Sequence, residues 1–537
     1  MGYQLEQLPR FTKALIKSHL MTCGWTYDDL DKPIIAIANS WNEFNHGHLP
    51  QRQLADRLKE GVRAAGGLPM EFNTIGPCDA LAQGSESMKY ILPNREIIAD
   101  SVEGMLRSQW IADGLVLISS CDKITPGMLM AALRMDIPSV HICSGTCSPL
   151  ISFAESKRLR KAFLEGEISE RELAEKNSAL YGGPGICPYM GTANTMDIFA
   201  EGLGLALSGS ATIPSGTSER MRAAYRTGEL AVDIALENRK PSQFISKKSF
   251  INALTILASV SGSLNHLLHV PAIAKAIDLD IDYDTIAEIN ARTPQLCTVN
   301  PSGPHSIADL HRAGGIPAVI NELSSLLDGE CINVEGKKFS KIAKEGFNQD
   351  YSVIRSIDKP VAEQGGVVIL KGNIAREGAA MRISTVPSEM ISFTGPAVVF
   401  NSEEDAMQAL EREEIVDGCV VIVRYEGPVG GPGMREMHRL VGAFSGRQIA
   451  VITDGRFSGA TGGLSIGYLR PEAALGGEIA CVENGDQITI DVTKHAIHVD
   501  LTEDEIQQRL KHTSFPPEPQ PSRLLSNFKQ KIEDQSG

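Results

Sequence analysis

Residues 114–144 read GLVLISSCDKITPGMLMAALRMDIPSVHICS. An apolar run of strand length ends at Ser119 and Ser120, and a turn carries Cys121, Asp122 and Lys123. A helical pattern then leads into a second apolar run at 138–144. Thr125 suits a helix cap, and Pro126 suits the first helical turn. Two strands joined through a helix pair in parallel, because the chain must cross back before it can run the same way again. Outward from this unit, PIIAIANS (33–40) is a third run of the same kind, and helical patterns fill 50–65 and 94–108. In NREIIADSVEGMLRS (94–108), Ile97, Ile98, Ser101, Val102 and Met105 share a face behind an Asn94 cap. Strands alternating with helices predict an α/β fold, an N-terminal three-layer α/β domain on a mainly parallel sheet. Residues 152–178 are charged and helical, an exposed excursion from that layer.

The character changes near residue 360. IDKPVAEQGG (357–366) reads as a linker, and β-type runs follow: VVILKG (367–372), AVVF (397–400), CVVIVRY (419–425), QIAVIT (448–453) and the alternating QITIDVTKHAIHVDL (487–501). They predict a C-terminal β-rich, barrel-like domain, dividing the chain into 1–360 and 361–537, with a polar tail after about 520. The 51 Lys+Arg against 66 Asp+Glu leave a net charge of −15, a surface that repels nucleic acid and anionic membrane. No apolar run approaches a membrane span, and MGYQLEQLPRFTK lacks a signal-type apolar stretch, so the expected location is cytoplasmic.

Ten cysteines are scattered without a secreted disulfide framework. Cys121 ends a strand, where open α/β sheets bind ligands. Cys187 lies in the Gly/Pro loop of YGGPGICPYMGTANTM (181–196), and Cys78 precedes Asp79 in EFNTIGPCDALAQG (71–84). Any one of them alone reads more simply as a buried thiol. Three in turns, two in Cys-Asp pairs, point to an iron cluster, whose thiolates must converge from separate loops. Cys23, Cys143, Cys147, Cys297, Cys331, Cys419 and Cys481 are read as free thiols. Asp79, Asp122 and Glu436 offer the hard oxygens Mg²⁺ prefers, although each alone reads as a cap or a solvated acid. RYEGPVGGPGMREM (424–437) and ITDGRFSGATGGLSIG (452–467) each follow a β run, as tight turns or as amides wrapped round an anion. Gly463–Gly467 fits G-x-S-x-G, but a nucleophile elbow needs a helix next, and Pro471 comes instead.

Several of these segments occur in order with NSWNEFNHGHL (39–49), LPNREIIADSVE (92–103), HRAGGIPAV (311–319) and GNIAREGA (372–379). Over nearly its whole length the chain resembles the dihydroxy-acid dehydratase and 6-phosphogluconate dehydratase family. The resemblance implies a hydro-lyase that converts a 2,3-dihydroxy carboxylic acid to a 2-keto acid, foremost in branched-chain amino-acid biosynthesis. A sugar-acid dehydratase acting on gluconate, xylonate, arabinonate or 6-phosphogluconate is the alternative. It further implies Cys121 and Cys187 as cluster ligands, Asp79, Asp122 and Glu436 on Mg²⁺, and Lys123 as a carbamate-bearing carboxylysine. Ser458 matches the proton acceptor, and a homodimer is expected. Members with a [2Fe-2S] cluster carry a cysteine where this chain has Gly47. Cys78 matches the 6-phosphogluconate branch instead, favouring [4Fe-4S]. PGICPYMGTANTM (184–196) and SLNHLLHV (263–270) also lean to that branch, the C-terminal motifs to the other. A non-catalytic iron sensor would have no use for Lys123 and Ser458.

Overall fold

A computed structural model describes residues 4–437, 439–444, 446–457, 462–513 and 521–536. Strands β1 (Ile34–Asn39), β2 (Leu68–Asn73), β3 (Gly114–Ile118) and β4 (Ser139–Ile142) form a parallel sheet ordered β2-β1-β3-β4. Every residue of β1 and β3 is buried, as aliphatic strands covered on both faces must be. The sequence pattern does not announce β2. It is an edge strand that opens on Leu68-Pro69 and then alternates half-buried with exposed residues, so it shows no apolar run.

Helices Gln51–Ala64 and Ser218–Glu237 cross with their backbones touching. A methyl group on Gly61 would sit 2.0 Å from the Tyr225 carbonyl oxygen, and one on Gly228 2.2 Å from that of Leu58. Helix Ile124–Met135 packs on Pro93–Ser108, Thr192–Leu203 and His266–Lys275. Two local expectations need correction. The helix at 94–108 starts at Pro93, with no cap from Asn94, whose amide donates to the Tyr90 carbonyl at 2.5 Å. Its buried stripe is Ile98, Ala99, Val102 and Leu106, while Ser101 and Met105 face solvent. The stripe is rotated because Arg95 and Glu96 are buried as a pair.

The C-terminal half closes into a barrel. Its strands are β5 (Val367–Gly372), β6 (Ala375–Arg382), β7 (Ser392–Phe400), β8 (Val420–Val423), β9 (Ala450–Thr453), β10 (Ser465–Arg470), β11 (Gln487–Asp491) and β12 (Ala496–Val499). Their order is β10-β6-β5-β12-β11-β7-β8-β9. Strands β7 to β10 run parallel, and β5/β6 and β11/β12 are antiparallel pairs. Val368, Leu370, Ile422, Ile452, Ile488 and Ile497 belong to one buried apolar cluster, so closure removes both sheet edges and most apolar surface together. The α/β sheet and the barrel are as expected. Strands β6 and β10 were not anticipated, since AREGAAMR and SIGYLR are poor in β-branched residues. Ser465 opens β10 as a strand residue, which rules out the elbow.

The charged excursion forms two largely exposed helices, Phe153–Leu164 and Glu170–Asn177. The polar tail is corrected to a docked helix. Arg523–Ser536 buries Leu525 and Phe528, and Lys531 Nζ lies 3.1 Å from Glu96 and 3.2 Å from Asp100. Among the described residues no helix is long and apolar enough to cross a membrane.

Candidate functional site

The turn after β3 is held from both sides by one buried acid. Asp197 accepts hydrogen bonds from Ser120 Oγ at 3.3 Å and Thr125 Oγ1 at 3.1 Å. Thr125 therefore does not cap the helix Ile124–Met135, which starts after Lys123, and Pro126 stands in its first turn. Between those two clamps Cys121 has φ +82°, a left-handed conformation that costs an ordinary residue about 1 kcal/mol. Cys78 immediately precedes the short helix Asp79–Ala82. The Cys187 loop is pinned by Asn194 Nδ2, which donates to the carbonyls of Cys187 and Tyr189 at 2.7 Å each, and by Thr146 Oγ1 at 3.2 Å.

Lys123 stands at the centre of an acidic group. Its Nζ lies 2.6 Å from Asp122, 2.7 Å from Asp79 and 3.5 Å from Glu436, and the side chain is fully buried. Oxygens of the three acids lie within 4.8 Å of one another, close enough to share one metal ion. Arg456 pairs with Glu436 from the barrel side. Burial, reinforced by the neighbouring acids, pushes Asp79 up to about 8 against the pull of Lys123. Burial would also raise Glu436, but Arg456 and Lys123 outweigh it and hold that carboxyl at about 2. Asp79 Oδ1 is buried with no hydrogen-bond partner among the described residues, an acceptor left open for a cation.

Asn265 ties the group together. Its amide donates to Asp122 at 3.2 Å and Glu436 at 2.9 Å, while its oxygen accepts from Arg456 at 3.3 Å and Tyr468 at 2.6 Å. His269 Nε2 lies 3.0 Å from Asp122 Oδ1, and Arg95 Nη1 lies 3.4 Å from the other ring nitrogen. Burial and the nearby cations keep His269 neutral, and Arg95 can only donate. The ring proton is therefore on Nε2 and points at Asp122.

Beside the acids is a cavity of about 80 Å³ whose lining includes Cys78, Cys121, Cys187, His46, Ile186 and Tyr189. Hydrogen bonding from Cys121, then from His46, draws the Cys78 thiol down to about 5 despite burial. The bond to Cys78 pushes Cys121 well up. The neighbouring thiols of Cys187 and then Cys78 push His46 up to about 10 despite burial. All ten cysteines are free of disulfides. The fold thus brings Cys78, Cys121 and Cys187 to one cavity, with Asp79, Asp122, Lys123 and Glu436 at its edge. Ser458 lies outside the described residues. Soft sulfur and hard oxygen donors side by side fit an iron cluster next to a hard divalent cation.

His46, Asn265, His269, Arg456 and Tyr468 were not singled out from the sequence. Four of them lie in quoted motifs, NSWNEFNHGHL, SLNHLLHV and ITDGRFSGATGGLSIG, and a polar side chain kept in an apolar or Gly-rich setting was the available signal. The anion inside the loop 424–437 proves to be internal. Glu472 accepts from the amides of Val429 at 3.0 Å and Gly430 at 2.9 Å.

A family model described as dihydroxy-acid/6-phosphogluconate dehydratase N-terminal matches residues 32–342, and its C-terminal counterpart matches 352–537. A dihydroxy-acid dehydratase of Caldanaerobacter subterraneus is 44% identical over 519 residues, 94% of this chain and 93% of that protein. Those of Acetivibrio thermocellus and Methanococcus aeolicus are 42% identical over 527 residues (95% and 93% of the two chains) and 43% over 523 (94% and 94%). Two matched halves and near-complete coverage leave one assignment: the chain belongs to the dihydroxy-acid/6-phosphogluconate dehydratase family.

Proposed function

We propose that this chain dehydrates a 2,3-dihydroxy carboxylic acid to the 2-keto acid, with the branched-chain precursors as substrates. The observation that carries the reading is the acid triad around Lys123, directly beside a three-thiol cavity. Residues 1–360 would supply Cys78, Cys121 and Cys187 to a [4Fe-4S] cluster, and Asp79, Asp122 and Lys123 to Mg²⁺. Residues 361–537 would supply Glu436 and Ser458. Held by these residues, a divalent cation would supply Lewis acidity for the charge that develops on C2 deprotonation, and an iron cluster would supply it for departure of the C3 hydroxyl.

The chain's own charges support a carboxylated Lys123. With all three acids ionised, as a bound cation would require of Asp79, Lys123 and Arg456 leave the buried group at −1, which a divalent cation would swing to +1. Carbamate formation replaces one positive by one negative charge and restores −1, and it adds an anionic oxygen at the centre of the triad. Ser458, as the alkoxide, would take the C2 proton, and the C2–H electrons would form the C2–C3 double bond as the C3–O bond breaks. The departing hydroxide would take a proton back from the Ser458 hydroxyl and leave as water, and the enol would tautomerise to the ketone. A serine needs a nearby cation to reach the alkoxide. No Lys or Arg is among the described residues that line the cavity, which favours a small unphosphorylated acid over 6-phosphogluconate. A homodimer in the cytoplasm completes the reading.

The test is turnover by anaerobically reconstituted protein on a panel of branched-chain and sugar 2,3-dihydroxy acids. Branched acids should be preferred, and a preference for sugar acids would reverse the substrate assignment. Ser458→Ala should lower kcat by about 10³-fold with little change in KM. A kcat within about tenfold of wild type, roughly 1.4 kcal/mol, would reduce Ser458 to a binding role.

A further inference from the structure

His46 is not among the ligands assigned above, yet the fold places its imidazole with care. Its backbone carbonyl accepts from Gly185 N at 3.1 Å, which ties it to the loop that carries Cys187. The neighbouring Asn45 donates through Nδ2 to the carbonyls of Gly76 and Pro77, at 3.4 Å each, which ties it to the loop that carries Cys78. On the other side, a methyl group on Gly47 would lie 2.9 Å from Ile186 Cγ2, so the loop lies flush against the Cys187 segment. The ring stands edge-on to Tyr181, with centroids 5.0 Å apart and planes at 76°. Two loops are strapped to this one short segment, and His46 lines the same cavity as all three cysteines. Its Nε2 is buried with no hydrogen-bond partner among the described residues.

We propose that His46 is a tuning residue of the iron–sulfur site, an N–H donor to one cluster thiolate, Cys78 or Cys187, that raises the reduction potential of the cluster they hold. This rests on the cluster reading above. One ring N–H is present whether the imidazole is neutral or charged, so the role does not depend on its protonation. A donor to a ligand thiolate withdraws electron density from sulfur and favours the reduced state, one of the main levers on such potentials. Partners of this kind around metal ligands also hold the ligands in place.

The test compares anaerobically reconstituted wild type, His46→Leu, which keeps the bulk and loses the donor, and His46→Gln, which keeps a donor. Iron and sulfide content are measured first, then the potential at which the reduced cluster's paramagnetic signal appears. His46→Leu should require a more negative potential and lose its cluster in air several-fold faster, with His46→Gln close to wild type on both counts. Failure of His46→Leu to load iron while His46→Gln loads normally would also support the donor role. Full loading with unchanged potential in His46→Leu overturns it, and so does equal failure of both variants, which would mean that only the shape of histidine matters. A wild type that binds no iron and sulfide at all would remove the cluster reading itself. That result is distinct from a loaded cluster indifferent to His46.

Discussion

In the sheet half, Cys78, Asp79, Cys121, Asp122 and Lys123 sit shortly after β2 and β3, while Cys187 comes from a pinned loop between helices. Asn265 and His269 come from the helix His266–Lys275 and its N-cap. The barrel half works differently: Glu436 comes from far along the loop after β8, and Arg456 and Tyr468 come from after β9 and within β10. The sheet half offers thiols, two carboxylates and a lysine. The barrel half adds one carboxylate, and otherwise charge compensation and a hydrogen bond to Asn265. Donors close to strand ends inherit their position from the parallel ladder that fixes the strands. A long loop cannot do that alone, so Glu436 is held by three partners, Lys123, Asn265 and Arg456. The difference assigns placement to one half and balance to the other.

The largest effect should come from the residue at the centre of the sheet half's donors. Lys123→Arg keeps a cation beside the three acids and cannot become a carbamate, so activity should fall by at least about 10³-fold, about 4 kcal/mol. Circular dichroism and thermal melting would show whether the fold survives, as expected. Turnover near wild type would break the division between the halves at its strongest point.

On the barrel side the first effect should be on stability. Arg456 is fully buried, and Arg456→Met leaves Glu436 with one cation fewer, which should cost about 3 kcal/mol by urea unfolding of the metal-free chain. Adding Glu436→Gln should restore most of that, since the neutral pair has no charge left to strand. An undiminished loss in the double variant would mean that Arg456 packs rather than balances. Asn265 touches both halves, and Asn265→Ala should weaken Mg²⁺ binding about 10- to 100-fold, near 2 kcal/mol, with the fold unchanged. Equal affinity by calorimetry would show that the halves hold their acids independently.

Legibility from sequence follows the same division. GLVLISSCDK and EFNTIGPCD put ligand-type residues within a turn of an apolar stretch, so both the strand-end location and the Cys-Asp pairing could be read directly. Glu436 was named as a hard-oxygen candidate, but only the family motif gave it the Mg²⁺ role, because nothing local separates it from Glu403 or Glu426, which are also buried. The supporting residues escaped for a related reason. Asn265 and His269 sit on or beside a helix whose polar positions look like ordinary ones until Asp122 and Glu436 are brought to them from far away in the chain. Strand β6 and the C-terminal helix were missed because their burial comes from long-range packing and not from their own composition.

The smallest effect concerns the link from the C-terminal helix to the sheet half. Lys531 on the C-terminal helix reaches Glu96, Glu96 pairs with Arg95 at 2.8 Å, and Arg95 touches His269, which faces Asp122. Burial alone would raise Glu96, but Arg95 and then Lys531 outweigh it and hold the carboxyl at about 2, against an ordinary 4.5. A carboxyl depressed in the folded state stabilises it fully above the unfolded value, and that contribution fades as pH falls from about 4.5 through about 2. Lys531 is partly exposed, so Lys531→Met should destabilise the docked helix by only about 1 kcal/mol near neutral pH. Hydrogen exchange across Arg523–Ser536 reads this directly. The difference between wild type and Lys531→Met should be constant from pH 7 to about 5, narrow below about 4.5 and close towards about 2, as Glu96 takes up its proton. A gap that persists undiminished into acid would mean that the helix is held by Leu525 and Phe528 in the core, and that Lys531 pairs instead with the exposed Asp100.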